Sequence, residues 1–466
     1  MSTSSLVCPL HAAALEAPDA PAISAPRGTL SFRELDRLVS GVAERFLERG
    51  LAGRRVGFLL DAGLAYVVLL LGAMRARAVA CPISTRLPPE SVKARSRQVS
   101  AAVLVTDRDA FVGAIHPDEL MGHTPAEASH VPDFVPDDPI TVVFTSGSTG
   151  HPEAALHSFG NHYFSALGSN ANIPLRPGDR WLLSLPLYHV GGLGVLFRCL
   201  LAGATIAIPN PRDSFDKQVG QATHVSMVAT QLHRYLELRT PARLKAILLG
   251  GSAIPDRLIV EAHRRGLPVH TSYGLTEMAS QVTTTPPNAP LEILRTSGRV
   301  LPHREVRIDD SGEIFVRGAT RFLGYVDGER IRRPFDDAGW FRTGDLGTLE
   351  PDGLLRVVGR KDNLFISGGE NIQPEAIEKV LLQIAGVSEA VVVPVPDEEF
   401  GHRPVAFLRG DGRIPSESAI RLELEKRLPR FMIPVAFHPW PAGELQGSIK
   451  PSRDALRRRA EHFPRE

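Results

Sequence analysis

Residues 54–84, RRVGFLLDAGLAYVVLLLGAMRARAVACPIS, read as strand, helix, strand. RRVGFLL (54–60) is a short apolar run of β type, a helical stretch follows to about Ala76, and AVACPIS (78–84) is a second apolar run. A helix between two strands is the crossover that parallel strands require. The alternation continues through TVVFTSG (141–147), WLLSLPL (181–187), ATIAIP (204–209), HVSMVAT (224–230), KAILLGG (245–251) and PVHTSYG (268–274), with helix-like segments such as PDRLIVEAHRRG (255–266) between several of them. This pattern predicts an α/β fold of layered, largely parallel sheets.

After about residue 290 the texture changes. VRIDDSGEIFVRG (306–318) and LGTLEPDGLLRVVGR (346–360) read as hairpins with Ser-Gly and Asp-Gly at their turns, a small β subdomain. An α+β unit follows, with a helix at about 374–385, strands AVVVPVP (390–396) and PVAFLRG (404–410), and a helix at about 416–428. The expected division is a large N-terminal domain over 1–359 and a small mobile α+β C-terminal domain over 360–466, joined near GRKDN.

The bulk numbers narrow the class. At 466 residues the chain exceeds one compact core. Lys+Arg (53) balance Asp+Glu (52), so no strong field invites nucleic acid or an acidic membrane surface. Arg457–Arg459 read as a solvated helix face. Three scattered cysteines, Cys8, Cys81 and Cys199, suit a reducing compartment and fit neither a disulfide framework nor a zinc site. The N-terminus lacks a basic n-region, and the apolar uncharged stretch Ala62 to Met74 is shorter than the ~20 residues that span a bilayer. The expectation is a cytoplasmic protein without membrane insertion; oligomeric state is left open, a homo-oligomer included.

Thr145-Ser146-Gly147-Ser148-Thr149-Gly150 follows a β-branched strand, where a phosphate-cradling loop should sit. Its glycines let backbone approach an anion, and its hydroxyls add donors to the N–H groups. It is no Walker A loop, because GSTGH lacks the lysine and following hydroxyl residue. Its companions come in fixed order: LPLYHVGG (185–192), LGGSAIP (249–255), SYGLTE (272–277), WFRTGD (340–345), GRKDN (359–363), SGGENIQPEAIE (367–378) and IKPSRDAL (449–456). With these eight ordered motifs, from about residue 20 to 460, the chain resembles the adenylate-forming superfamily of acyl-CoA synthetases, luciferases and peptide-synthetase adenylation domains.

The resemblance implies ATP, Mg2+ and coenzyme A as co-substrate, a small carboxylic acid as partner, and a role for each matching residue. Tyr273, followed by Gly274, would pack on adenine, a stack of about 1–3 kcal/mol. Thr276 would donate to the α-phosphate, and Glu277 would offer magnesium a hard carboxylate oxygen. Asp345 would accept from both ribose hydroxyls with Arg360 nearby, and Gly250, Gly251, Ser252 and Ala253 would wall the adenine slot. Asp362 matches a hinge about which the small domain turns. Lys450 would enter for adenylation and neutralise charge around the carboxylate and α-phosphate. Gly368, Gly369 and Glu370 would come round for thioester formation and line the pantetheine tunnel.

LPLYHVGGLGVLFRCLLAGA (185–204), THVSMVATQLHRYL (223–236), LKAILLGGSAIP (244–255), GRKDNLFISGGENIQPEAIEKV (359–380) and VPVPDEEFGHRPVA (393–406) resemble the branch of o-succinylbenzoate–CoA ligases of menaquinone biosynthesis. Such an acid needs an apolar slot and a cation or hydrogen-bond donors for its spare carboxylate. His189 would line the acyl pocket beside the reacting carboxylate. Gly191, Gly192 and Gly194 would keep its floor low, and Arg198 either grips the spare carboxylate bidentately or faces solvent. The rival readings are a ligase for another aryl or medium-chain fatty acid and a degenerate, non-catalytic nucleotide binder. An amino-acid adenylation domain is disfavoured on the expectation that no carrier domain follows Glu466.

Two positions depart from the superfamily pattern. Gly447-Ser448-Ile449-Lys450-Pro451-Ser452-Arg453 stands where G-K-I-x-R is usual, and anchoring on the following Arg-x-x-Leu selects Lys450. The phosphate loop ends Gly150-His151-Pro152-Glu153 where G-x-P-K is usual, so a carboxylate stands where a cation is expected. Either Glu153 swings into solvent and His151 or backbone compensates, or ATP is held weakly. Glu153→Lys is expected to leave activity intact and lower the apparent KM for ATP; steady-state kinetics showing an unchanged or higher KM would mean that the position does not meet phosphate.

Overall fold

The computed structural model describes residues 5–122, 131–145, 152–238, 244–410, 412, 414–441 and 453–460. Among these, the strands form two large mixed sheets, a four-stranded antiparallel sheet, and two small C-terminal sheets. The fold is α/β, with a large N-terminal domain and a small C-terminal one.

In the nine-stranded sheet, Val269–Leu275, Ala246–Leu249, His224–Met227, Arg180–Leu182, Thr205–Ala207 and Pro21–Ala25 run parallel side by side. Antiparallel strands close both edges. In the seven-stranded sheet, Val103–Thr106, Arg55–Leu59, Val79–Pro82 and Pro139–Phe144 are parallel, and Ala154–Ser158, Gly324–Asp327 and Arg330–Arg332 extend it antiparallel. Parallel strands are buried on both faces, which is why their sequences are continuous apolar runs rather than alternating ones. The stretch 54–84 does fold as strand Arg55–Leu59, helix Leu64–Arg75 and strand Val79–Pro82.

Helices Leu64–Arg75 and Val190–Ala202 are apolar save for one buried arginine each, Arg75 and Arg198, and helices of this kind bury every face. Both belong to one core cluster that draws on the two large sheets together, through Phe58, Ala80 and Val143 from one and Ile23, Trp181 and Leu248 from the other. Gly72 allows a close approach to helix Phe32–Glu48, since a Cβ there would lie 2.3 Å from Val42 Cγ1.

WLLSLPL is only partly strand. Regular pairing stops at Leu182, and Ser184 turns its hydroxyl onto the Ser226 carbonyl at 2.5 Å. Pro186 has no N–H for a ladder, and its carbonyl accepts from His189 N–H, starting the turn into Val190–Ala202.

The two expected hairpins form the four-stranded sheet, Arg304–Ile308 with Glu313–Gly318 and Phe341–Leu349 with Leu355–Arg360. Beyond them, Phe365–Ser367 pairs with Glu370–Ile372, and Glu389–Asp397, Gly401–Arg409 and Ala436–Pro439 form a three-stranded sheet. Helices Pro374–Leu381 and Glu417–Glu425 contribute to a separate apolar cluster beside that sheet. Arg457, Arg458 and Arg459 lie exposed on helix Arg453–Ala460.

Strand Val269–Leu275 changes partners along its length. Its first half pairs parallel with Ala246–Leu249; from Ser272 it pairs antiparallel with Ser280–Thr284, with an irregularity between Tyr273 and Gly274. A Cβ on Gly274 would sit 2.2 Å from the Ser280 carbonyl oxygen, so only glycine lets the two strands approach. The intervening turn is strained: Ala279 (φ 53) and Ser280 (φ 130) both have left-handed backbone. Non-glycine residues in such regions cluster at functional sites.

Candidate functional site

That turn carries Thr276 and Glu277, and packing from three directions fixes it. His157 Nε2 donates to the Thr276 carbonyl at 2.7 Å, the Phe322 N–H donates to the Glu277 carbonyl at 2.8 Å, and the Tyr325 hydroxyl donates to Glu277 Oε1 at 2.6 Å. Glu277 is half-buried. Desolvation raises its pKa above the ordinary carboxylate value; the Tyr325 hydroxyl opposes the shift, and the Asp345 charge adds to it. A desolvated carboxylate with one neutral donor has capacity left for a cation. Among the described residues no group of three or more His, Cys, Asp or Glu could hold a metal. Glu277 would offer a divalent ion such as Mg2+ a hard carboxylate oxygen.

A second group gathers around Asp345. Tyr273 OH donates to Asp345 Oδ2 at 2.7 Å and Arg360 Nη1 donates to Oδ1 at 3.1 Å. The Tyr273 ring is buried beside Met278 and Val282, so its phenol is held well above its ordinary pKa by burial first and by Asp345 second. A carboxylate has about four acceptor sites, and these donors use two. Arg360 also donates through Nη2 to Asp362 Oδ2 at 3.1 Å, which ties Asp345 to the expected hinge. Burial alone would lower the Arg360 pKa; Asp345 and Asp362 raise it instead.

The third group lies on helix Val190–Ala202, whose N-cap is His189. His189 is half-buried, with its ring 4.7 Å from that of Tyr188. Gly191 and Gly192 form the first turn, where a Cβ on Gly192 would lie 2.2 Å from the Pro186 carbonyl oxygen. Gly194 faces the Arg198 guanidinium, 3.1 Å from a Cβ built there. Arg198 does not face solvent. It is 1% exposed, stacks 5.1 Å over Trp181, and donates through Nη2 to Ser280 Oγ (3.1 Å) and Gln281 Oε1 (3.0 Å). Its Nε and Nη1 have no hydrogen-bond partner among the described residues, and no described carboxylate pairs with it. Burial pulls its pKa down to about 10, so the group stays charged at neutral pH. Neighbouring Arg304 is also buried and is satisfied by the Gln281, Pro302 and Ser165 carbonyls.

Of the phosphate loop, Thr145 and Glu153 form the closing pair: Thr145 N–H donates to the Glu153 carbonyl at 2.8 Å, and Glu153 N–H donates to Thr145 Oγ1 at 3.2 Å. Ser146, Gly147, Ser148, Thr149, Gly150 and His151 lie outside the described residues, as does Lys450. The Glu153 carboxylate is not loose in solvent. It is ion-paired with Arg332, whose guanidinium stacks 4.8 Å over the Tyr325 ring. Gly250, Gly251, Ser252 and Ala253 make the loop after Ala246–Leu249, where a Cβ on Gly250 would crowd Ser272 Oγ at 2.9 Å. Gly368 (φ 57) and Gly369 (φ 85) form the two-residue turn between Phe365–Ser367 and Glu370–Ile372.

The segment from Tyr273 to Gln281 thus touches all three groups. Sequence reasoning missed His157, Tyr325, Arg332, Ser280 and Gln281, which have no spacing signature and act through partners far along the chain.

The chain matches two family descriptions, AMP-binding enzyme over residues 10–326 and AMP-binding enzyme C-terminal domain over 376–450. It is 36% identical over 441 residues to the 2-succinylbenzoate–CoA ligase of Salmonella typhimurium, covering 94% of each chain. It superposes on o-succinylbenzoate CoA synthetase from Bacillus subtilis in complex with the acyl-adenylate intermediate OSB-AMP with a TM-score of 0.89, at 31% identity over 97% of this chain and 98% of that one. The same Bacillus subtilis enzyme in complex with ATP and magnesium ion gives a TM-score of 0.83, at 31% identity over 93% of this chain and 95% of that one.

His157 makes the anchoring of Thr276 pH-dependent. Burial holds its pKa down to about 4, against about 6.5 in an unfolded chain. The unfolded state therefore takes up a proton first as pH falls. The stability contributed by neutral His157 is complete above about pH 6.5 and is lost progressively towards pH 4, on the order of 3 kcal/mol. His162, 5.2 Å away ring to ring and lowered well below its ordinary value, adds in the same direction. Thermal melts of His157→Gln between pH 7 and 4 are expected to fall less steeply than wild type; identical slopes would remove His157 from the account.

Proposed function

The chain belongs to the AMP-binding enzyme family, and on that premise we propose that it is an ATP-dependent o-succinylbenzoate–CoA ligase serving menaquinone biosynthesis. The carrying observation is Arg198, a fully buried guanidinium with two nitrogens unpartnered among the described residues, beside the glycine-floored start of its helix. A buried charge without a counter-ion is costly to fold around, on the order of several kcal/mol. An acid with a second carboxylate would supply that counter-ion; benzoate or octanoate would not.

The reaction runs in two steps. In the first, an oxygen of the substrate carboxylate forms a bond to the α-phosphorus of ATP and pyrophosphate leaves. In the second, the thiol sulfur of coenzyme A forms a bond to the acyl carbon, AMP leaves, and the thiol proton is released. On this reading Tyr273 and the Gly250–Ala253 loop bracket the adenine. Asp345, with two acceptor sites uncommitted, takes the ribose hydroxyls, and Arg360 keeps its charge in place. Thr276 donates to the α-phosphate from a turn that His157 and Phe322 hold still. Such preorganisation lowers the barrier because no dipole has to reorient as charge develops. Glu277 would hold Mg2+, which when bound would supply positive charge against the phosphates. His189 borders the reacting carboxylate, and Lys450 is assigned to the first step only.

Asp362 lies in the short turn after Leu355–Arg360, at the junction proposed between domains 1–359 and 360–466. Rotation there would exchange Lys450 for Gly368 and Gly369 at one site. We place the reaction in the cytoplasm, consistent with three free cysteines and with no helix among the described residues long and apolar enough to cross a membrane.

The test is to incubate the protein with ATP, Mg2+ and CoA plus o-succinylbenzoate, benzoate or octanoate, and to follow the thioester by mass. Only o-succinylbenzoate is expected to react. Arg198→Met should raise the KM for o-succinylbenzoate by about 10- to 100-fold, the scale of a lost charge-assisted pair, with the ATP KM within about twofold. Consumption of octanoate alone would leave the ligase chemistry standing and remove the substrate.

A further inference from the structure

Glu153 was singled out in the sequence and has no part in the proposed function. Three neighbouring strands place its partner. Ala155, Tyr325 and Arg332 are in register across Ala154–Ser158, Gly324–Asp327 and Arg330–Arg332, so their side chains share one face. Glu153 precedes Ala155 by two residues and comes to the same face. Arg332 is thereby stacked on Tyr325 and ion-paired with Glu153, while the Tyr325 hydroxyl reaches Glu277. Glu153, Arg332, Tyr325 and Glu277 form an unbroken string from the closing pair of the loop to the expected metal carboxylate.

We propose that Arg332 is the cation that meets the β- and γ-phosphates of ATP in this chain, with Glu153 as the residue that positions it. This rests on the nucleotide reading given above. The pair is more open than a structural ion pair: the Arg332 side chain is 59% exposed and Glu153 43%. Exposed pairs of this kind are worth little by themselves, so a polyphosphate can take over the guanidinium at small cost. Guanidinium presents five donors in a fork that fits phosphate oxygens, and one carboxylate does not exhaust them. The charge lost at the end of the loop is thus restored from a neighbouring edge strand, 179 residues away in sequence. Because the string enters the site from the loop side, Arg332 should matter for the pyrophosphate portion of ATP and not for AMP.

Calorimetric binding of ATP and AMP separates these contacts without requiring turnover. Arg332→Ala is expected to raise the ATP Kd about tenfold, as for one lost charge-assisted contact, and to leave the AMP Kd within about twofold. Arg332→Lys should retain most of the ATP affinity. Glu153→Lys combined with Arg332→Ala, which moves the cation onto the loop, should recover it to within about threefold. Equal weakening of ATP and AMP would make Arg332 a structural residue and overturn the proposal, as would an unchanged ATP Kd. A wild-type chain that bound neither nucleotide would overturn the ligase reading as well, whereas intact ligation with an indifferent Arg332→Ala would overturn this inference alone.

Discussion

The site depends on a close approach that only glycine permits. Gly274 lies against the Ser280 carbonyl, where any Cβ would stand 2.2 Å from that oxygen, and the turn between them carries Thr276 and Glu277 on strained backbone. Strain of this kind costs of order 1–3 kcal/mol per residue and persists only where the surroundings over-determine it. Here they do, through the His157 and Phe322 bonds to the two carbonyls and the Tyr325 bond to the carboxylate. One short stretch therefore positions Thr276, Glu277 and, through Ser280 and Gln281, buried Arg198, the residues proposed to meet the α-phosphate, the metal and the acid.

The residues proposed for the nucleotide lie before and within the turn, at Tyr273, Thr276 and Glu277; the contacts to Arg198, proposed for the acid, lie immediately after it. Any shift of the turn moves both sets together. Asp345 and Arg360 extend the same rigidity towards Asp362, because Arg360 donates to both carboxylates at once.

Much of this was legible in the sequence where the signal is local. Parallel strands buried on both faces read as apolar runs, hairpins with Asp-Gly or Ser-Gly turns announce themselves, and Tyr273, Thr276 and Glu277 share one motif. WLLSLPL misled because its apolar run continues past Leu182, while Pro186 ends the ladder. Arg198 was ambiguous between pocket and solvent, since a helix register alone does not say which face a neighbouring sheet covers. Glu153 looked like an unanswered charge because its answer, Arg332, is distant in sequence and becomes adjacent only through strand pairing. His157 gave no signal at all: one histidine in a buried strand is identified as an anchor only when its acceptor is seen. Ser146 to His151 and Lys450 lie outside the described residues, so their roles rest on the sequence.

On the proposed function, the Tyr273–Gln281 segment holds acid and nucleotide together so that an acyl-adenylate forms before coenzyme A takes part. Exchange of labelled pyrophosphate into ATP, with Mg2+ and o-succinylbenzoate present and coenzyme A withheld, measures that step alone. The account expects acid-dependent exchange that falls by about 100-fold in Glu277→Gln, about 2.7 kcal/mol of transition-state stabilisation. Exchange that proceeds without the acid, or that appears only when coenzyme A is added, would contradict it.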